Sequence, residues 1–207
     1  MAAKTAKVEA TVEPKASRRR SARDRLLAAA DELFYAEGVH VVGVDRIVER
    51  ASVAKASLYS IFGSKDELIR AYLEKHFAMR QRRIARILAA RDTPRERLVG
   101  VFAEMQAALA GREFRGCRFI MATAEGRSGD ASAVVAEEYR AWVRSVFTEV
   151  ADAAGADDPK QLGRQLALLY DGAAVAARMD RDRGVAGRAM ISAAESLLDA
   201  AIPTKSQ

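Results

Sequence analysis

The stretch KASLYSIFGSK (55–65) is dense in hydrogen-bond donors, with Lys55 and Lys65 at its ends and Ser57 and Tyr59 between them. Ammonium groups at short range neutralise phosphates. A phenol can donate to a phosphate oxygen while its ring lies on a sugar, and a serine hydroxyl can reach a base edge or a phosphate. The chemistry on offer is non-covalent recognition of a polyanion. A solvated helix face carries the same residue types, so the elements that hold these four decide what they do.

Those elements are legible in VDRIVERASVAKASLYSIFGSKDEL (44–68). It divides into two short helical segments, roughly 44–51 and 54–61, around a tight turn at Ser52-Val53. Val44, Ile47 and Val48 face inward from the first, and Val53, Leu58 and Phe62 around the second. Leu27, Ala30 and Phe34, on a helix opened by Ser21-x-x-Asp24 and closed by Gly38, can complete a three-helix core. That is helix-turn-helix geometry, whose second helix enters the major groove of a duplex.

The rest of the 207 residues reads as helix after helix, so an all-α fold is expected. Ser64-x-x-Glu67, Thr93-Pro94-x-Glu96 and Asp158-Pro159-x-Gln161 each mark a helix start. Further helices are expected at roughly 117–125, 131–154 and 186–201. Only VHVVGV (39–44) alternates like a strand, and it has no partner. Residues 1–17 lack apolar periodicity and read as a disordered basic arm. Over residues 1–25, eight Lys and Arg stand against three acids, a net +5, with Arg18, Arg19 and Arg20 just before the first helix. We divide the chain into this arm, a helix-turn-helix domain at 18–66 and a larger helical domain at 67–203. The helix from Ser64 serves as a lever between the two domains.

Composition narrows the classes. The formal charge of +6 suits a polyanionic partner. The single Cys117 excludes an internal disulfide, and with only His40 and His76 no metal site is expected. No cofactor is expected either. No apolar run reaches membrane-spanning length and the N-terminus is not a secretory signal, so a soluble cytoplasmic protein is expected. Paired carboxylates, a Gly-rich phosphate loop and a Ser/His/Asp arrangement are all absent, which argues against an enzyme.

RLLAAADELFYAEG (25–38) and IVERASVAKASLYSIFGSKDELI (47–69) resemble the TetR family of transcription regulators, nearly without gaps over residues 21–70. FRGCRFI (114–120) and LLYDGAAVAARMD (168–180) are similar to stretches in one branch of that family. The resemblance implies a homodimeric regulator, most simply a repressor released from a palindromic operator by a small-molecule effector. It places Lys55, Ser57, Tyr59 and Ser60 on the recognition helix and Lys65 at the start of the next, where ammonium and backbone N–H groups can hold a phosphate. Two departures stand out. Val41-Val42-Gly43 replaces the usual capping Thr or Ser, leaving Gly43 as the cap of the second helix, and Ser52 fills a turn position usually held by Gly. The recognition helix lacks Arg, Asn and Gln, so affinity should rest on phosphates and on the arm. Arg18, Arg19, Arg20 and Arg23 either reach the minor groove or only solubilise the tail. An architectural, sequence-indifferent DNA-binding protein is the alternative reading.

The resemblance also implies a ligand cavity in the second domain. Phe102, Met105, Cys117, Met121, Trp142 and Tyr170 are candidates for its lining, although for any single one core packing is the better reading, least so for Trp142 and Tyr170, which pair a large apolar body with a polar group. Arg115 and Arg118 near Cys117 raise the question of a redox thiol, against a buried structural one. Leu162, Leu166, Leu169, Ala173 and Ala176 form a seam with spacings of 4, 3, 4 and 3, and Met190, Ala194 and Leu197 continue the pattern on the last helix. Paired with a second chain they would make a four-helix bundle; otherwise they face their own core.

Overall fold

Side-chain caps set where the helices begin. In a computed structural model that describes residues 21–124, 126 and 129–202, Ser21, Ser64, Thr93 and Asp158 each accept a hydrogen bond from the backbone N–H three residues on. These are the four starts read from the sequence, and Thr93 with Glu96 completes a reciprocal capping box. Each cap satisfies an N–H that the first turn leaves without an intrahelical partner.

Among the described residues the chain forms α1 (Ala22–Glu37), α2 (Val44–Ala51), α3 (Lys55–Phe62), α4 (Lys65–Ala89), α5 (Pro94–Ala110), α6 (Arg118–Thr123), α7 (Ala131–Ala153), α8 (Pro159–Met179) and α9 (Arg183–Ala201), with no strand. The VHVVGV segment is a turn that buries Val39 and Val42 and leaves Val41 66% exposed. The basic arm with Arg18, Arg19 and Arg20 lies outside the described residues.

The first three helices share one core. Leu27, Ala30 and Phe34 of α1, Ile47 and Val48 of α2, and Leu58 of α3 are buried together, with Val44, Val53 and Phe62 partly buried against them. The first turns of α4 close this unit with Leu68, Ile69, Tyr72 and Leu73. Further along, Phe77 and Ile84 of α4 join the core formed with α5 and α7. One 25-residue helix thus belongs to both halves, as the lever reading requires.

Helices α5 to α9 make the larger half. Packing is tight where α8 crosses α7: a Cβ on Gly163 would lie 2.9 Å from the Thr148 backbone nitrogen. Only a residue without a side chain permits that approach.

The apolar seam expected on the surface of α8 and α9 is not there. Leu162, Leu166 and Ala173 are buried in the chain's own core, as are Met190 and Ala194, while Leu169, Ala176 and Leu197 are partly buried against it. The reason is local: α8 lies between α7 and α9 of the same chain, and these take the stripe. A different flank of α8 faces outward. Leu168 (72% exposed), Gly172, Val175 (42%) and Met179 (78%) repeat there at spacings of 4, 3 and 4.

Candidate nucleic-acid interface and internal cavity

Burial of Leu58 turns α3 so that Lys55, Tyr59 and Ser60 face solvent, with Tyr59 46% exposed and Ser57 half-buried. Lys55 Nζ lies 2.7 Å from Asp45 Oδ1 on α2, and the hydrogen bond and charge of Asp45 raise the ammonium pKa. Both side chains are exposed, so this pair is a weak tether from which a phosphate can take the lysine. Lys65 opens α4, at the helix start expected for it. Its ammonium donates to the His40 carbonyl at 3.4 Å, and burial lowers its pKa. Arg23 stacks over the Phe62 ring at 5.5 Å, on the body of the domain rather than in an arm. Val41 and Ile61 are also exposed on this unit; neither is polar, so a search for donors passes over them.

The two sequence departures have visible consequences. Gly43 precedes α2 at φ −78° and ψ 156° with no side-chain cap. Ser52 is the one described non-glycine residue with positive φ (51°), and Arg25 Nη1 of α1 holds its carbonyl at 3.2 Å.

A cavity of about 620 Å³ opens between α4, α5, α6, α7 and α8. Of the six expected lining residues, Met105, Cys117 and Tyr170 border it. The other three do not. Phe102 is fully buried and stacks on Phe147 at 5.3 Å. Trp142 packs beside Phe77, with ring centroids 5.5 Å apart. Met121 sits at the junction of α6 with the end of α1, beside Phe34 and Tyr35. Large apolar side chains fill interior space first, and apolarity does not tell filler from lining. Glu125, a possible partner for a cationic effector, lies outside the described residues.

The residues missed are mostly polar. Arg80, Arg82, Arg83 and Arg86 border the cavity from one flank of α4, Arg118 from α6, and Tyr139 from α7. The run RQRRIAR (80–86), without an acid inside it, was the available signal. Glu104 bridges Arg80 at 3.1 Å and Arg83 at 2.8 Å. Burial raises the phenol pKa of Tyr139 and Tyr170, keeping both protonated. The Tyr170 hydroxyl is buried without a hydrogen-bond partner of good geometry. Burial also pushes the Cys117 thiol up, outweighing the smaller lowering effects of the Ile120 and Phe119 backbone and of Arg80. A protonated thiol is a poor nucleophile, which favours the structural reading of Cys117 over the redox one. Arg118 does not help it, because its guanidinium lies 3.6 Å over the Tyr35 ring and 3.7 Å from Asp31.

One edge of the cavity is also the joint between the two halves. Tyr35, His76 and Arg118 border it. The Tyr35 hydroxyl donates to the Gly116 carbonyl at 3.3 Å and accepts the Arg115 N–H at 2.8 Å. Asp31 of α1 meets His76 at 2.9 Å and Lys75 at 3.1 Å, both on α4. His40, in the turn before α2, pairs with the Ala122 carbonyl at 3.1 Å. Among the described residues no helix is long and apolar enough to cross a membrane, and no cluster of three His, Cys, Asp or Glu could hold a metal.

The model of the bacterial regulatory proteins of the tetR family matches residues 26–72. Over 54 residues the chain is 48% identical to the HTH-type transcriptional activator FasR of Mycolicibacterium smegmatis, covering 26% of this chain and 25% of that protein. Over 83 residues it is 29% identical to the HTH-type transcriptional repressor NemR of Escherichia coli K12, covering 40% and 42%. The matches therefore span well under half the length of either relative. A TetR-family transcriptional regulator from Streptomyces coelicolor, known as a crystal structure, superposes with a TM-score of 0.84 at 31% identity, over 88% of this chain and 96% of that one.

Proposed function

The chain belongs to the TetR family of bacterial transcription regulators, and from this we propose that it acts as a two-fold dimer that holds a palindromic operator until a small molecule in the cavity releases it. The observation that carries the reading is the joint: Tyr35 of α1, Gly116 just before α6 and Arg118 of α6, which hold the two halves together, also edge the cavity. Lys55, Tyr59 and Ser60 of α3 would lie in the major groove, with Gly43, Ser57 and Lys65 at its border. In a dimer the two α3 helices would meet successive grooves about 34–36 Å apart. A ligand that draws Arg118 away from Tyr35 and Asp31 would free α6 to move against α1. The reading heads then shift, and the dimer no longer fits two half-sites. The ligand must bind the released arrangement better, and DNA must weaken ligand binding by the same factor.

Regulators named activator and repressor both resemble this chain, and the sign depends on where the operator lies. Release is the simpler reading because the joint lies on the cavity edge. Selection of bound duplexes from a random pool tests the proposal. We expect one enriched palindrome, and a loss of at least tenfold in affinity for it in Lys55→Glu. Because base-reading Arg, Asn and Gln are missing from α3, affinity should fall steeply between about 50 and 200 mM salt. A pool with no enriched sequence would instead favour an architectural DNA-binding protein.

A further inference from the structure

We propose that the cavity takes an organic carboxylate with an apolar body, its anionic head held by Arg80 and the Tyr170 hydroxyl. This deepens the effector reading and rests on it. The head group follows from charge. Glu104 is shared by Arg80 and Arg83, so one acid faces two guanidinium groups and leaves a positive charge uncompensated. Arg82 and Arg86, both exposed, add a solvent-screened excess from the same helix, and of the two lining acids, Glu113 and Asp171, the second is already held by Arg140 at 3.1 Å. A cation would meet repulsion here, whereas an anion would gain from the guanidinium groups.

The hydroxyl is the second, independent observation. Tyr170 borders the cavity and is 2% exposed, its ring packs among Phe102 and Phe147, and its buried hydroxyl has Tyr139 beside it but no hydrogen-bond partner of good geometry. A buried donor left unsatisfied is costly, and a ligand oxygen is what would satisfy it. Arg80, Tyr139 and Tyr170 are close enough to interact electrostatically, so one anionic group can meet a guanidinium and a phenol together. The body follows from the remaining wall. Met79, Met105, Phe114 and Phe119 supply apolar and aromatic surface, and about 620 Å³ suits a molecule of drug-like size.

Calorimetric titration of the full chain with 4-phenylbutyrate, octanoate and decanoate, and with the primary alcohol and amine of each, tests this. At least one acid should bind tenfold or more tightly than its alcohol and its amine. Tyr170→Phe should weaken that acid by about tenfold or more, the scale of a hydrogen bond to a charged acceptor, without lowering the melting temperature. The pair Arg80→Gln with Glu104→Gln, which leaves net charge unchanged and deprives only the solvent-exposed Arg83 of its partner, should weaken it at least as much. The proposal is overturned if no acid binds, if alcohols or amines match the acids, or if Tyr170→Phe leaves acid affinity unchanged. Duplex selection on the same protein separates the two readings. An enriched palindrome without a carboxylate preference sinks only the ligand class, whereas carboxylate binding without an enriched palindrome sinks the regulator reading.

Discussion

Asp31 is the residue on which the most elements converge. From α1 it accepts Lys75 and His76 of α4 and lies 3.7 Å from Arg118 of α6. Burial alone would raise its carboxyl, but the hydrogen bond and charge of His76, then those of Lys75, outweigh it and hold the pKa at about 2, from an ordinary 3.8. A carboxyl depressed on folding contributes stability that is complete above about pH 4 and is lost as the pH falls through 2. The side chain is partly solvated, so screening reduces the contribution to about 1–2 kcal/mol. Urea unfolding at pH 6, 4 and 2.5 should therefore show an acid-induced loss of that order that Asp31→Asn no longer shows. Parallel pH profiles for the two proteins would rule this account out. The residue types around Asp31 carry no motif, and only the meeting of three helices reveals the cluster.

At the scale of elements, the turn between α2 and α3 sets the pitch of the recognition helix. Ser52 adopts φ 51° and ψ 53° there, a left-handed conformation that L-residues other than Gly, Asn and Asp seldom take. Its N–H bonds back to Val48 and Glu49, and Arg25 fixes its carbonyl, so the surroundings impose the strain. Ser52→Gly relieves it at the cost of a looser unfolded chain, for a net gain of about 0.5–1 kcal/mol. A rise in the urea midpoint with an unchanged slope is the expected result, and a fall would show that the serine is not strained. This feature was legible beforehand, because a turn between two short helices demands that conformation whichever residue occupies it. The helix starts at Ser21, Ser64, Thr93 and Asp158 were legible for a related reason: capping depends on neighbours three residues away.

At the scale of the whole molecule, the outward flank of α8 is the open question that dimerisation answers. Leu168, Val175 and Met179 leave an apolar stripe on the surface, and Val185 extends it at the start of α9 (48% exposed). Gly172 within the stripe would let a second helix approach closely. We expect the two-fold axis of the dimer to pass here, and not along the Leu162, Leu166 and Ala173 stripe. Leu168→Glu with Met179→Glu should convert the dimer to a monomer in sedimentation equilibrium and lower operator affinity by a hundredfold or more, with helical content unchanged. A dimer that survives both charges would place the interface elsewhere.

The sequence by itself determined what is local: nine stretches of helix or turn signal, the polar caps, the odd residue at Ser52, and a helix-turn-helix whose inward residues all proved buried or partly buried. The matched family segment at residues 26–72 lies in this part. The tertiary structure decided everything that depends on which neighbour arrives first. A stripe with 4, 3, 4 spacing says that one side of α8 is buried, but not by which chain. Met105 and Phe102 lie on one helix with similar chemistry, yet one borders a cavity and the other stacks on Phe147. Arg80 reads as a surface charge until α4, α7 and α8 enclose it with two phenols. Periodicity encodes the direction a side chain points, and burial, pairing and cavity walls depend on what distant chain segments bring to meet it.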